Sequence, residues 1–373
     1  MKHKICYILP EYREDLATHF SYIGNLLREA NKELETFLII EKGTIPSDTF
    51  GCEKIKLIGS SNFFLRSVKL KFWIFSARFH GYRDFYVHYS FLSAITAGMI
   101  VRVFGGRVFY WNCGEPWKYK RSFFRERFER LAYHVVTYLV TGTEKLAVEY
   151  SEHYRILREK IKIMPNWIDN ERFKNIPQRS DLRKEFDIPE GKKVVLFTHR
   201  LSYRKGSRMI MSVARDILTK RDDVYFIIAG TGPEEKQLRA RLEQSPGISP
   251  HMRFVGAVPN NEIQKYFGVA DIFFMPSQEE GFPRVVLEAM ASGVPIVGSD
   301  VGSVPEIVPP ALLPYIVDPN DQPGFVKALS TLLSQGEEQN EKMRTELQAR
   351  ALQFETTIVA KIFINLFLCQ KAP

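Results

Sequence analysis

Residues 277 to 300 read SQEEGFPRVVLEAMASGVPIVGSD, and they parse as a loop, a helix from about Arg284 to Ser292, a helix-ending Gly293 and a strand. Short apolar strands of this kind, separated by segments of helical length, are the rhythm of a parallel α/β sheet. Working outward from this stretch, the second half carries such strands at Lys193 to Thr198, Val224 to Ala229, Asp271 to Met275 and Pro295 to Gly298. The first half carries them at Ile5 to Leu9, Phe37 to Ile40, Phe85 to Val87 and Val108 to Trp111. Two doubly wound halves are the simplest architecture. Between them PNWIDNERFKNIP, Pro165 to Pro177, has Pro and Asn breakers and no periodicity, so the linker is expected there with the hinge near residue 175.

A chain of 373 residues with 45% hydrophobic and 25% charged residues can bury two cores of ordinary size. The net charge of +9 favours an anionic partner: nucleic acid, lipid headgroups or a phosphorylated substrate. Cys6, Cys52, Cys113 and Cys369 are scattered without a C-x-x-C pair, which suits a reduced, cytoplasmic setting. The apolar run Ile5 to Leu9 is too short for a signal peptide, and no stretch approaches the roughly 18 apolar residues of a membrane span. Any membrane contact is therefore expected to be peripheral. No G-x-G-x-x-G follows the first strand of either half, which disfavours a dinucleotide-dependent oxidoreductase, and no nucleic-acid-binding module is recognisable.

In open α/β sheets ligands bind above the carboxyl ends of the strands. Arg200 to Gly206, Gly230 to Pro233 and Ser277 to Arg284 all follow strands of the second half, so one sheet edge gathers them. Glu280 lies in the loop before the helix and Glu288 about one turn inside it. Helical side chains lean toward the N-terminus, so Glu288 can reach over the helix start, where exposed N–H groups favour phosphate, and accept bonds from ribose hydroxyls. Gly281 lets the backbone approach an anion, leaving Glu280 to meet sugar hydroxyls beyond it. In HRLSYRKG, His199 to Gly206, the cations Arg200 and Lys205 suit a diphosphate whose charge grows as it departs. Taken singly, these elements also read as solvated surface charge and an ordinary core helix.

Taken together and in order they resemble a family. R-x-x-x-x-K-G at Arg200 to Gly206, AGTGPEE at Ala229 to Glu235, RFVGAV at Arg253 to Val258, the Glu280 and Glu288 pair and VGSVPEIV at Val301 to Val308 resemble the retaining glycosyltransferases of family 4, or glycosyl transferases group 1. The first half is similar through PNWID, Pro165 to Asp169, and the VHYSFLSAITAG run from Val87. The resemblance implies the GT-B fold, with two Rossmann-like doubly wound domains facing each other across a cleft. Domains are then expected at 1–175 and 176–350, with a helix in 351–373 packing back on the first. By the same resemblance Glu280, Arg200 and Lys205 form the catalytic set. Glu288, the Val255 backbone and the loop residues Gly281, Phe282, Pro283 and Arg284 hold the donor. No metal or other cofactor is implied, and no enzymic nucleophile.

The acceptor side departs from the family pattern. PEYREDLATHF, Pro10 to Phe20, lacks the paired glycines of the family, and YWNCGEPW has Asn112 and Cys113 where a His is usual. The acceptor-side candidates are His88, Asn112, and Lys118, Lys120 and Arg121 of WKYKRSFFR, which suit the phosphate of a polyprenyl carrier or anionic headgroups, although a solvated helix face explains those cations equally well. FFLRSVKLKFWIF, Phe63 to Phe75, is also basic and aromatic, but Arg66 and Lys69 point away from Lys71, so this helix is expected in the core. The function expected is retaining transfer of a sugar from a UDP- or GDP-sugar to a glycan or lipid-linked acceptor in cell-surface polysaccharide, glycolipid or lipopolysaccharide biosynthesis. It would take place in the cytoplasm or at the inner face of the cytoplasmic membrane, without nucleic acid. A catalytically silent sugar-nucleotide-binding subunit is the alternative.

Overall fold

The computed structural model describes residues 2–13, 22–59, 62–119 and 121–369, and within them the chain forms two parallel sheets. The first contains β1 (His3–Leu9), β2 (Leu34–Ile40), β3 (Lys54–Leu57), β4 (Asp84–His88), β5 (Arg107–Trp111), β6 (Tyr138–Thr141) and β7 (Ile161–Ile163), in the order β3-β2-β1-β4-β5-β6-β7. The second contains β8 (Lys193–Thr198), β9 (Val224–Ala229), β10 (Met252–Gly256), β11 (Ile272–Met275), β12 (Ile296–Ser299) and β13 (Ile316–Val317), in the order β10-β9-β8-β11-β12-β13. Central strands such as β4 and β9 are buried along their whole length, because helices cover both faces and every second residue must be apolar on either side. The strand order reverses at β1/β4, where Cys6 pairs with Phe85, and at β8/β11, where Leu196 pairs with Phe273. Each sheet therefore has its own switch point, where the loops diverge and leave a crevice.

The chain divides into a unit built from residues up to Asn166 and again from Thr356, and a contiguous unit Trp167–Glu355. The crossings fall at 166/167 and 355/356, whereas the sequence reading put them near 175 and 350. The breaker-rich PNWIDNERF segment is ordered within the second unit. Trp167 and Ile168 are buried, the Ile168 N–H donates to the Phe354 carbonyl (2.9 Å), and the Asn170 N–H donates to Glu355 (3.1 Å). Phe173 of the short helix Glu171–Lys174 packs on Phe267.

In the first unit the helix Thr356–Leu368 lies beside the helix Ile23–Ala30 on one face of the sheet. Phe363 packs on Tyr7 and Tyr86, with ring centroids 5.9 and 4.8 Å away, and Phe367 packs on Phe109. Arg107 holds Asp84 through two hydrogen bonds (2.8 and 2.6 Å) and donates a third to the Phe367 carbonyl (2.8 Å), so a buried ion pair fastens this helix to the sheet. Cys6 and Ile8, which point the other way, belong to the opposite core with Ile74, Ala97 and Ala132. Those residues come from the helices Phe63–Phe79, Phe91–Phe104 and Phe123–Val135. The first of these three is only half in the core. Leu70, Ile74 and Ala77 are buried, but Phe64 is 77% exposed and Phe72 and Phe79 are each 61% exposed.

Candidate active site

The loops leaving β8 and β12 both press on the loop leaving β11 at the second switch point, and two glycines let them. Gly206 has φ +68°, and a Cβ there would sit 1.7 Å from the Pro276 carbonyl oxygen. Gly302 has φ +52°, and its Cβ would sit 1.9 Å from the carbonyl oxygen of Glu280. Only glycine meets both demands at each position.

Pressed together in this way, the loops bury Glu280 among polar partners. Its Oε1 accepts from Lys205 Nζ (2.8 Å) and Ser277 Oγ (2.8 Å), and His199 Nε2 lies 3.2 Å away. The Arg200 backbone N–H donates to His199 Nδ1 (2.9 Å), so Nε2 carries the ring proton and aims it at the carboxylate. Burial pushes the Glu280 carboxyl up. Lys205 by its charge, and after it His199 by its hydrogen bond, outweigh that and hold the group well below the usual carboxylate range. Glu280 is thus ionised across the neutral range, and its Oε1 is held by Lys205 and Ser277. Arg200 itself is exposed.

Two helices start at this edge, Ser207–Leu218 after Gly206 and Arg284–Ala291 after Pro283, and neither N-terminus is capped by a side chain. Their first N–H groups and positive dipole ends make an anion-favouring rim. Glu288 is half-buried on the second of these helices. Burial raises its carboxyl above the usual range, and Arg284, one turn earlier, and Arg172 pull against that shift without reversing it. Arg172 also holds Gln264 Oε1 (3.1 Å). Phe282 is buried against Phe354, Pro283 precedes the helix, and the Gly281 carbonyl accepts from the Ser303 N–H (2.9 Å). Val255 on β10 lines a cavity of about 220 Å³ with Phe186 and Tyr266, whose rings stack 4.5 Å apart.

The second unit therefore brings Lys205 and Glu280 into contact and sets Glu288 beside Arg284. The sequence reading quoted His199 and Ser277 but gave them no role, and it passed over Arg172. His199 is next to Arg200 in the motif and Ser277 is three residues before Glu280, but nothing in the spacing reveals that both turn onto one oxygen. In the first unit His88 is fully buried, with Nδ1 3.1 Å from Tyr7 Oη and its ring 4.2 Å from that of Trp111. Asn112 is buried, bonded to Tyr133 Oη (3.1 Å) and the Gly114 N–H (3.0 Å). Lys118 pairs with the buried Glu115 (2.8 Å), and Arg121 pairs with Glu129. Lys120 lies outside the described residues.

The family described as glycosyl transferases group 1 matches residues 178–350, which include Arg200, Lys205, Val255, Glu280 and Glu288 but not Arg172. The second unit belongs to the glycosyl transferases group 1 family. Among relatives of this chain, a D-inositol 3-phosphate glycosyltransferase of Corynebacterium urealyticum is 27% identical over 237 residues, 61% of this chain and 56% of the relative. A GDP-mannose-dependent alpha-(1-6)-phosphatidylinositol monomannoside mannosyltransferase of Mycobacterium tuberculosis is 31% identical over 181 residues, 46% of each protein. The chain thus spans about half the length of the curated relatives it matches. Anabaena HepE in complex with UDP superposes with a TM-score of 0.79 at 15% identity, over 99% of this chain and 100% of that one. At that identity the likeness speaks for the fold, and the chain has the GT-B fold.

Proposed function

We propose that the protein is a retaining, metal-independent glycosyltransferase that moves a sugar from a UDP- or GDP-sugar to a glycan or polyprenyl-linked acceptor at the inner face of the cytoplasmic membrane. One observation carries the reading: a buried carboxylate, held ionised by Lys205 and His199, sits between two uncapped helix starts at a switch point. Donor binding there uses the helix starts, Arg200 and Lys205 for the diphosphate, and Glu288 for the ribose. As the bond from the sugar to the diphosphate breaks, charge builds on the leaving oxygen, and cations already in place stabilise it without reorganisation. Glu280 orients the transferred sugar by accepting from its hydroxyls. Its lowered pKa removes it as a proton donor, and it is assigned no nucleophilic role. The mannosyl transfer named for the mycobacterial relative supports a lipid-linked acceptor, and the UDP bound to HepE supports a nucleoside diphosphate in the site.

The test is thermal stabilisation by UDP, GDP, ADP and their sugars, repeated with Glu288→Ala and Arg200→Ala. Stabilisation by one nucleotide, lost in both variants, is expected, and no shift with any of them overturns the reading. Product whose anomeric configuration matches the donor, formed with chelator present, separates this enzyme from a silent sugar-nucleotide-binding subunit.

A further inference from the structure

The outer face of the helical layer in the first unit is apolar where solvent would demand polarity. On the helix Phe63–Phe79, residues Phe64, Val68, Phe72, Phe75 and Phe79 recur every three or four positions and are between 43% and 77% exposed. They form one stripe, opposite the buried Leu70, Ile74 and Ala77. On the neighbouring helix Phe91–Phe104, Met99 (61%) and Val103 (74%) are exposed one turn apart. Phe104 joins the two helices, its ring 5.4 Å from Phe75 and 5.3 Å from Phe79. The helix Phe123–Val135, packed on the other side of the middle one, adds Phe124 (73%) and Phe128 (47%). An exposed apolar surface spread over three adjacent helices marks an interaction site, since isolated exposed residues are ordinary but a contiguous patch is not.

Charge identifies the partner. The helix Phe63–Phe79 carries Arg66, Lys69, Lys71 and Arg78 and no acidic residue, the helix Phe91–Phe104 carries Arg102 and no acidic residue, and on the helix Phe123–Val135 three arginines outnumber Glu126 and Glu129, each of which pairs with an arginine. Lys69 and Lys71 are exposed on either flank of the stripe. Aromatic rings with basic flanks match the boundary of an anionic bilayer, where rings sit at headgroup depth and ammonium groups reach the phosphates. A second protein surface would have to supply acidic groups around an apolar centre, and a second copy of this face is itself basic and would repel it. We infer that the outer face of these three helices docks on an anionic phospholipid bilayer, with the stripe Phe64 to Phe79 inserted among the headgroups. The inference specifies the surface behind the membrane placement proposed above and rests on that placement, but vesicle binding can be read without any sugar transfer.

The experiment is flotation of the full chain with vesicles of phosphatidylcholine mixed with phosphatidylglycerol, against vesicles of phosphatidylcholine alone. Binding to the anionic vesicles is expected, falling as salt rises. Phe64→Ser combined with Phe72→Ser and Phe79→Ser should weaken it at least tenfold, and Lys69→Glu combined with Lys71→Glu should do the same. Both variants should keep the wild-type melting midpoint, since each changes exposed side chains, and both should keep the stabilisation by nucleotide, whose residues lie in the other unit. A wild-type chain that stays at the bottom of the gradient, or variants that float as well as it does, overturns the inference. So does a wild-type dimer in sedimentation that the phenylalanine variant breaks while neither binds vesicles. Floating without any nucleotide response would leave the surface assignment standing and remove the transferase reading.

Discussion

Lys205 and Glu280 are each the other's main source of stability in the site. With Lys205 18% and Glu280 5% exposed, little water reaches the pair, so removing one partner strands the other. Lys205→Met is expected to cost about 3 kcal/mol in urea denaturation, with the hydrogen bonds from Ser277 and His199 limiting the loss. Because the folded pKa of Glu280 is depressed, the stability it contributes is complete above the ordinary carboxylate range and is lost only as pH falls through the folded value. Glu288 has the opposite sign. Its folded pKa is raised by burial, so the stability linked to it is present on the acid side and declines as pH rises through that value. Glu288→Gln should therefore raise the melting midpoint of the nucleotide-free protein at neutral pH and flatten its decline as pH rises above the ordinary carboxylate range, while weakening nucleotide binding. Lys205, Glu280 and Glu288 were legible because their spacing sits on a loop-helix boundary that the sequence marks. His199, Ser277 and Arg172 were not, because only the tertiary approach of separate loops turns them toward the carboxylates.

Elements were legible in proportion to how fully they are buried. Most central strands are continuous apolar runs whose positions were readable to within a few residues, although the short interior strand β6, YLVT, was passed over. The strands at the margins of the first sheet were not readable. β3 reads KIKL and β7 reads IKI, with Lys54 and Lys56 laid over the Trp73 ring at 5.1 and 4.5 Å and Lys162 over Tyr138 at 4.8 Å. Cations on marginal strands discourage pairing with other chains, and they also erase the apolar signal by which a strand is recognised. The helix Phe63–Phe79 misled the reading for a related reason. Apolar residues on two opposite sides cancel in any search for a single polar face, so a half-exposed helix looks like a core one. At this scale Gly206→Ala is the informative change. It puts a methyl group against the Pro276 carbonyl at a left-handed residue, so it should destabilise the protein by roughly 3 kcal/mol and separate Lys205 from Glu280. Wild-type-like melting together with wild-type nucleotide binding would show that the loop approach is not needed.

At the scale of the molecule, the two units differ in how the chain builds them. The second is one continuous stretch with its own sheet and all the donor-side residues, so residues 167–355 expressed alone should fold cooperatively and keep nucleotide-dependent stabilisation. The first is assembled from two stretches, and its sheet face around Tyr7, Tyr86 and Phe109 is covered by rings from the second of them. A chain ending at Glu355 should leave that face open and Arg107 without one of its acceptors, and should aggregate on heating well before the full chain does. The sequence indicated two domains and a returning helix, but not that the breaker-rich segment after Asn166 would be built into the second unit, since Pro and Asn signal irregular backbone whether or not it is packed.

The helix Thr356–Leu368 also sets an order of events during translation. A ribosome makes residues 2–166 first, but they cannot finish their core until the helix that covers Tyr7 and Tyr86 has left the exit tunnel, by which time residues 167–355 are already outside. The unit begun first is completed last. For that interval the nascent chain carries a half-closed sheet with an open aromatic face.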